Sequence, residues 1–436
     1  MDPVARSERT PRRANGRRGR PPGVDATVPL MSTYLDHAAS TPPRPAARAA
    51  LSAWLEAANG SANHLDGQRA RGAVETAREQ IAGALHCSPH EVVFTSGGTE
   101  ADNLAVKGIA WASRQRTDRV PHIVTTAVEH PAVSEPVRWL VERGEATATV
   151  VAPGPDGRVE VDAVLDAVRD DTVLVSVMTA NNELGAVQDV PTLGAGLRER
   201  GVRLHTDAVQ AVAWLDVDVA AWQVDALALS AHKFGGPQGV GVAVLRRGMP
   251  VEPLSHGGGQ DRAVRSGTFA TGLVAACGVA LTEAVADRRA LRVRVGAMNE
   301  RLAAGLVALD GVRRNGPTDP AHRLPNIVHL SIDGVASDAL ALELDRAGVA
   351  ASGGAACGSG AAAASPVLAA AGIDGTPLRL SLGWTSTDAD VDRALEVLHD
   401  VIPRLRAGRL SAGRLDAGSR GSGRTNTGRL RAEVAR

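Results

Sequence analysis

The chain has 436 residues, of which 44% are hydrophobic and 22% are charged, and its 48 basic residues balance its 48 acidic ones. This composition is ordinary for a globular protein with a large core, and the neutral balance argues against direct binding of nucleic acid. No apolar run has the length of a membrane-spanning helix, and three cysteines without a CxxC pair exclude a disulfide framework and disfavour a zinc site. We therefore expect a cytoplasmic protein with no metal and no membrane partner.

Lysine is rare in this chain. Lys107 and Lys233 are its only lysines, and the other 46 basic residues are arginines. Arginine supplies charge, but lysine also offers an amine that can form a Schiff base. Each of the two lysines is therefore a candidate for amine chemistry.

The two ends of the chain differ in composition from its middle. Residues 1–32 hold seven arginines with proline and glycine, and residues 407–436 are rich in arginine, glycine and serine. Such compositions are typical of disordered tails, and the first of them lacks the apolar segment of a secretory signal. Two alternatives stay open for residues 1–32: translation could begin at Met31, directly before the first predicted structured segment, or the residues could form a nucleic-acid-binding arm.

Between the tails, short apolar runs alternate with helical patterns such as Glu100–Arg114 and Val190–Arg200. This alternation predicts an α/β fold with a mostly parallel seven-stranded sheet that has helices on both faces. The last two strands begin 14 residues apart, so their connection could be antiparallel. The predicted strands are Val92–Thr95, Ile123–Thr126, Ala148–Ala152, Val173–Met178, Val202–Thr206, Ala226–Ser230 and Val240–Leu245.

The remainder of the chain predicts a smaller α+β domain. We expect a large domain over residues 33–285, whose first residues could pack with the small domain, and a small domain over residues 286–406. The elements predicted after about residue 275 are a helical region to about Leu309, a strand Ile327–Ile332, a helix Ser337–Ala347, a strand Leu378–Leu382 and a helix Asp388–Arg406.

Polar side chains follow five of the predicted strands. Ligands of open α/β sheets bind beyond the carboxyl ends of the strands, so these side chains are candidates for one site. The segment 96–100, SGGTE, opens a helix with small residues and could hold a phosphate. Taken singly, each candidate could instead be a turn, a helix cap or a buried histidine. The other strands are followed by His130, Asn182, Asp207 with Gln210, and Lys233.

Taken together, these residues match the requirements of pyridoxal phosphate. Lys233 would hold the cofactor aldehyde as a Schiff base, and Asp207 would keep the pyridine nitrogen protonated. Motifs for other cofactors do not fit: the sequence contains no GxxxxGK[ST] and no HExxH, and its glycine-rich segment 236–241 leads into a strand and not into a helix, unlike a dinucleotide-binding fingerprint.

The sequence resembles the cysteine desulfurases, which belong to the class V aminotransferase group of pyridoxal-phosphate enzymes and have the fold-type I architecture. The resemblance covers about Tyr34 to Leu405. It rests on the motifs YLDHAAST at 34–41, FTSGGTEADNLAVKG at 94–108, EHPAV at 129–133, NNELGAVQ at 181–188, HTDAVQ at 205–210, SAHKFGGPQGVG at 230–241, RSGT at 265–268, SGGAAC at 352–357 and LRLSLG at 378–383.

The resemblance implies a role for each matching residue around the cofactor. Lys233 would form the Schiff base and carry protons, Asp207 would pair with the pyridinium nitrogen, and Gln210 would bond the phenolic oxygen. His130 would stack on the ring and act as acid and base on the substrate thiol. The phosphate would be held by Gly98, Thr99, Ser230 and His232, with Thr268 arriving from the second subunit.

The substrate side of the site follows from the same resemblance. Asn182 would lie near the phenolic oxygen and the substrate carboxylate, and Arg379 would bind that carboxylate with its guanidinium fork. The family is dimeric, with its sites at the subunit interface, so the resemblance also implies a homodimer.

Cys357 decides the reaction that the resemblance implies. It lies in residues 353–364, a run of glycine, alanine and serine that we expect to form a mobile loop, because it can bury little apolar surface. In the family this cysteine attacks the sulfur of L-cysteine, becomes a persulfide and releases L-alanine. The sulfur would pass to an acceptor protein, either an iron–sulfur scaffold or a tRNA-thiolation enzyme.

Two other interpretations stay open at this point. A related enzyme of the same group, a selenocysteine lyase or a small-amino-acid aminotransferase, would use the same cofactor without needing Cys357. A degenerate homologue that only binds a partner is disfavoured because Lys233, Asp207 and His130 are all present.

Overall fold

A computed structural model describes residues 33–353 and 365–419 of the chain. Within these residues the strands are β1 (Thr33–Tyr34), β2 (Val92–Thr95), β3 (His122–Thr126), β4 (Thr147–Val151), β5 (Thr172–Ser176), β6 (Arg203–Asp207), β7 (Ala226–Ser230), β8 (Gly241–Leu245), β9 (Val312–Asn315), β10 (Ile327–Ile332), β11 (Val349–Ala350) and β12 (Thr376–Ser381). The α-helices are α1 (Pro45–Ala53), α2 (Leu65–Leu85), α3 (Gly98–Thr117), α4 (Pro131–Glu142), α5 (Val161–Asp166), α6 (Val190–Arg200), α7 (Thr271–Val307), α8 (Ser337–Arg346), α9 (Pro366–Ala370) and α10 (Asp388–Ser419).

A seven-stranded sheet with the order β2-β8-β7-β6-β5-β3-β4 lies at the centre of the fold. The strands from β7 to β4 run parallel to their neighbours. Strand β8 is antiparallel to both β7 and β2. The mostly parallel seven-stranded sheet predicted from the sequence is confirmed, including the antiparallel pairing of its last two strands.

Successive residues of strand β2 pack into two hydrophobic cores on opposite faces of this sheet. Val92 and Phe94 belong to one buried cluster, which includes side chains of α2, α6 and α7, whereas Val93 belongs to the other, which includes side chains of α3 and α4. Side chains alternate between the two faces of a strand, so a sheet covered on both faces needs apolar residues at every position. This explains why its strands appear in the sequence as continuous apolar runs.

A second, three-stranded antiparallel sheet has the order β12-β10-β9. The first described residues join this part of the chain, because β1 pairs with β11 and Asp36 forms a bridge with Ser381. Helix α7 continues without a break through the predicted domain boundary at residues 285 and 286. None of the helices in the described part of the chain is both long enough and apolar enough to span a membrane.

The last helix is longer than predicted. Helix α10 continues to Ser419, whereas the sequence analysis ended it at Arg406 and assigned residues 407–436 to a tail. The added segment contains alanine, leucine and arginine, whose high helix propensity outweighs its glycines and serines. The predicted tails at 1–32 and 420–436, and residues 354–364 of the predicted cysteine loop, lie outside the described residues.

Gly241 lets strand β8 pass directly beneath the turn that precedes α3. A Cβ atom at this position would lie 2.5 Å from the carbonyl carbon of Gly97 and 2.6 Å from the carbonyl oxygen of Leu229, and both are backbone atoms that cannot rotate away. The backbone of the turn can therefore approach β8 only because residue 241 has no side chain.

We expect Gly241→Ala to lower the free energy of unfolding by about 2 kcal/mol, because the new methyl group must displace backbone. Gly83→Ala is the matched control, since a Cβ there meets nothing within 4 Å on helix α2. That variant should be neutral or more stable by roughly 0.5 kcal/mol, because alanine is the better helix former. Urea unfolding measures both, and equal stability of the two variants would contradict the close packing at residue 241.

Candidate active site

Ten of the twelve predicted site residues line a single cavity of about 290 Å³ at the carboxyl ends of the parallel strands. Strand β3 lies between β4 and β5, so the chain order of the sheet reverses at β3. Such a reversal opens a crevice at the carboxyl ends of the strands, where ligands bind. The ten residues are Gly98, Thr99, His130, Asn182, Asp207, Gln210, Ser230, His232, Lys233 and Arg379.

Lys233 brings an amine to this cavity. It ends a short 3₁₀ turn directly after β7, and its Nζ donates hydrogen bonds to the carbonyl oxygens of Ala38 at 2.6 Å and Ala39 at 2.8 Å. Lys107 lies elsewhere, on α3, with its Nζ 4.5 Å from the ring centroid of Trp139. Of the two lysines, Lys233 therefore has the position for amine chemistry in the cavity.

The amino terminus of α3 forms one wall of the cavity. Gly98 and Thr99 are its first two residues, and Gly97 before them offers no side-chain cap to the helix N–H groups. A Cβ at Gly98 would lie 2.8 Å from Cγ2 of Val209, so only glycine allows this close approach. Free N–H groups at a helix start, together with the hydroxyl of Ser230, make a suitable cradle for a phosphate.

Asp207 places a carboxylate at the end of β6. Its Oδ1 accepts a hydrogen bond from the Val209 N–H at 2.8 Å, and the residue is 4% exposed. Burial raises the pKa of Asp207, whereas the nearby His130 and Lys233 oppose that rise. A cation brought to this carboxylate would therefore be strongly favoured.

His130 caps the amino terminus of α4. Its Nδ1 accepts a hydrogen bond from the Ala132 N–H at 3.0 Å, so in the neutral imidazole the proton resides on Nε2. Gln210, across the cavity, donates from Nε2 to the carbonyl oxygen of Ala38 at 2.9 Å. Both side chains are thus held in one orientation by backbone partners.

Arg379 is the largest fully buried side chain of the described residues and lies on β12. Its Nη1 donates to the carbonyl oxygen of Asn182 at 2.9 Å, and its Nη2 donates to Oδ1 of Asp36 at 3.0 Å. Two backbone hydrogen bonds join Arg379 to Ser352, whose position is just before the predicted cysteine loop. The guanidinium is therefore held by two separate segments of the chain, and a third pairs with the backbone of Arg379.

Of the other two predicted site residues, only Thr268 is among the described residues, and it does not line this cavity. Thr268 lines a different cavity, of about 440 Å³, together with Leu51, Trp54 and Phe269. Cys357 lies outside the described residues.

Comparison with known proteins agrees with this arrangement. A family model described as aminotransferase class-V matches residues 33–394. An IscS-like cysteine desulfurase of Mycobacterium tuberculosis is 45% identical over 385 residues, which cover 86% of this chain and 97% of that protein. A cysteine desulfurase IscS of Clostridium botulinum is 37% identical over 380 residues, with 86% of this chain and 95% of that protein covered. The chain belongs to the cysteine desulfurases of aminotransferase class V.

Solved structures related to the desulfurase share its fold. A NifS-like protein superposes with a TM-score of 0.80 at 30% identity, over 86% of this chain and 100% of that one. The DndA protein of Streptomyces lividans superposes with a TM-score of 0.68 at 36% identity, over 80% of this chain and 99% of that one. The expected fold-type I architecture is therefore confirmed.

Pyridoxal phosphate is the cofactor of this family, and the cavity of the desulfurase fits it. Lys233 offers the amine that the aldehyde needs, and the buried Asp207 offers an anion for the ring nitrogen. The start of α3 offers N–H groups where glycine permits close approach. The aldehyde, the ring nitrogen and the phosphate of the cofactor would thus each have a suitable partner in the cavity.

The sequence analysis missed two acidic residues near this site. Asp36 contacts Arg379, and Asp102 lines the cavity with its Oδ1 3.4 Å from Nε2 of the buried His205. Asp102 lies in a motif that carried the family resemblance, and its place on α3 beside the apolar Ala101 and Leu104 was the available signal of burial. The contact of Asp36 left no signal, because its partner is 343 residues away.

Glu129 is another buried carboxyl close to the site. Its Oε1 accepts hydrogen bonds from Oγ1 of Thr126 at 2.8 Å and from the Met178 N–H at 2.9 Å, and its Oε2 has no partner among the described residues. Burial raises the pKa of Glu129 from 4.5 to about 8. Between these two values the folded state binds a proton that the unfolded state releases, so this group costs stability as the pH rises.

We expect Glu129→Gln, which resembles the protonated acid, to gain stability relative to the natural protein as the pH rises from 5 to 8. The gain should be about 1 kcal/mol per pH unit, because only the natural protein loses a proton on unfolding in that range. Urea unfolding of the two cofactor-free proteins at several pH values measures the difference. A difference that stays constant or shrinks with rising pH would show that Glu129 is ionised in the folded protein.

Proposed function

We propose that this desulfurase removes sulfur from L-cysteine as a homodimer in the cytoplasm, releases L-alanine and carries the sulfur on Cys357. An acceptor protein, either an iron–sulfur scaffold or a tRNA-thiolation enzyme, then receives the sulfur. The observation that carries the proposal is the single cavity in which Lys233, His130, Asp207 and Arg379 meet. An amine, a base, an anion and a carboxylate-binding cation are the groups that this reaction needs.

Lys233 and His130 move protons in the proposed reaction. When bound, pyridoxal phosphate withdraws electrons from the α-carbon of the substrate and so makes that carbon acidic. Lys233 holds the cofactor covalently until substrate arrives and then carries the proton of the α-carbon. His130 takes the proton of the substrate thiol on its ring.

The remaining cavity residues bind and orient. Asp207 pairs with the pyridine nitrogen, and the buried position of its carboxylate makes that pairing strong. Gln210 donates to the phenolic oxygen of the cofactor. The phosphate is held by Gly98, Thr99, Ser230 and His232. Burial lowers the pKa of His232 to about 4, so it acts as a neutral hydrogen-bonding group.

Arg379 binds the α-carboxylate of L-cysteine, with Asn182 beside it. The guanidinium is the best geometric match for a carboxylate, because two parallel N–H groups can meet two oxygens. Its hydrogen bond to the Asn182 carbonyl sets the plane in which those N–H groups point. The carboxylate thereby fixes which face of the substrate meets Lys233.

Cys357 takes the sulfur. Its thiolate attacks the sulfur of L-cysteine, an S–S bond forms, and the C–S bond of the substrate breaks. The electron pair of that bond stays with the substrate, which gains protons and leaves as L-alanine. Ser352, which precedes Cys357 by five residues in the sequence, is joined by two backbone hydrogen bonds to Arg379.

The homodimer completes the site in this proposal. Thr268 lies away from the cavity of its own chain, and we infer that it reaches the phosphate bound by the second subunit. The surface around it is apolar for an exposed region: Leu55 is 71% exposed, and Leu51 and Trp54 line the same cavity as Thr268. Burial of such a surface against a second copy is the expected driving force.

We also infer that the chain is organised as a large domain over residues 33–285 and a small domain over 286–406. The seven-stranded sheet lies within the first range and the three-stranded sheet within the second, which supports this division. The cavity uses residues of both, since Arg379 comes from the second range.

The function is tested by incubation of the purified holoenzyme with L-cysteine and a reductant. Alanine and sulfide should appear in equal amounts. Formation of pyruvate in place of alanine would contradict the proposal, because it requires elimination of the thiol and leaves no alanine. Consumption of a keto acid without release of sulfide would indicate a transaminase.

A further inference from the structure

Asp36 forms an ion pair with Arg379, the arginine that we propose to bind the substrate carboxylate. Its Oδ1 accepts a hydrogen bond from Nη2 of Arg379 at 3.0 Å, while the side chains of Arg379 and Asp36 are only 2% and 21% exposed. Ion pairs sheltered in this way interact more strongly than pairs on the surface, which water and salt screen.

Arg379 keeps hydrogen-bond donors for a ligand. A guanidinium has five N–H donors, and the described contacts of Arg379 with Asp36 and Asn182 use two of its nitrogens, Nη2 and Nη1. Its Nε is buried without a hydrogen-bond partner among the described residues. A carboxylate that enters the cavity therefore meets an arginine that is correctly oriented but already paired with an anion.

Lys233 is a second cation near Asp36. Burial raises the pKa of Asp36, and both Arg379 and Lys233 oppose that rise. Two cations on one carboxyl favour its ionised form. An incoming carboxylate therefore meets an Arg379 whose Nη2 already donates to the carboxyl of Asp36.

We propose that Asp36 limits how tightly the site holds α-carboxylates, and thereby allows the product to leave. L-Alanine has the same α-carboxylate and α-amine as L-cysteine, so every contact that Arg379 makes with the substrate also retains the product. Asp36 competes with either ligand for the positive charge of Arg379. The inference rests on the proposed role of Arg379. It adds that Asp36 sets the affinity of Arg379 for the ligand carboxylate.

The test compares L-alanine binding in variants of Asp36. Asp36→Asn keeps an oxygen acceptor for Arg379 and removes the charge, so the inhibition constant of L-alanine should fall on the order of tenfold. Asp36→Ser should change the constant in the same direction and serves if the first variant fails to fold. Ethylamine, which lacks the carboxylate, should inhibit all of these proteins equally. A merely structural role of Asp36 would not tighten the binding of a carboxylate.

Two further variants separate this inference from the role of Arg379. Asp171→Asn is the matched control, because Asp171 pairs with Arg169 at the exposed start of β5, and it should leave the constant unchanged. Arg379→Ala should raise the constant at least about tenfold. If Arg379→Ala has no effect, the proposed role of Arg379 is wrong. If Arg379→Ala weakens L-alanine binding while both Asp36 variants leave it unchanged or weaken it, the inference about Asp36 is overturned.

Discussion

Replacement of Lys233 by alanine is expected to abolish both covalent attachment of the cofactor and release of alanine from L-cysteine. Lys233 is the described lysine whose amine lies at the cavity, with its Nζ held by the carbonyl oxygens of Ala38 and Ala39. The loss should exceed about a thousandfold, because the covalent link and the proton carrier disappear together. Visible absorption of the purified protein and an alanine assay measure the two effects.

Lys107→Ala is the control for this prediction. The amine of Lys107 packs on the ring of Trp139, and its loss should leave activity close to that of the natural protein. Borohydride reduction of the natural holoenzyme, followed by peptide mapping, should find the cofactor on Lys233. Its recovery on Lys107 would show that the site has been placed wrongly.

Cys357→Ser is expected to separate cofactor chemistry from sulfur transfer. The cavity residues that bind cofactor and substrate are unchanged in this variant, so it should be yellow and should still change its absorption when L-cysteine is added. Alanine production should fall by at least about a hundredfold, because a serine hydroxyl is almost fully protonated at neutral pH and is a poor nucleophile toward sulfur.

The other two cysteines cannot replace Cys357. Burial raises the thiol pKa of Cys87 and of Cys277 to about 12, so neither is present as a thiolate at neutral pH. Cys87→Ser should therefore keep most of its activity and serves as the control. Near-normal alanine production by Cys357→Ser would rule out the proposed sulfur transfer through Cys357 and favour the selenocysteine-lyase alternative, which does not need that cysteine.

The central sheet and the helices around it were largely predictable, because the sequence patterns that indicate them are local. Val190–Arg200 was predicted with the observed bounds, since Asp189 caps its start and Gly201 ends it in a left-handed conformation. The strands were predictable because burial on both faces makes them uniformly apolar. The extension of α10 to Ser419 was not predictable from composition, because the glycines and serines after residue 406 are also typical of a disordered tail.

The placement of the cavity residues was also predictable, because parallel strands deliver their following residues to one edge of the sheet. The pairing of Asp36 with Arg379 was not, since nothing in the local sequence indicates which distant arginine a carboxylate meets. The expectation that Thr268 reaches a second subunit came only from the family resemblance. The sequence pattern of one chain does not indicate which of its residues contact another subunit.

Sulfur transfer through Cys357 is tested most directly by a single turnover of the holoenzyme with L-cysteine and no reductant, followed by alkylation and mass spectrometry of its peptides. We expect one additional sulfur atom on the peptide that contains Cys357, and an equal amount of L-alanine in solution. Alanine without additional sulfur on Cys357, or sulfur found on Cys87 or Cys277 instead, would contradict transfer through Cys357.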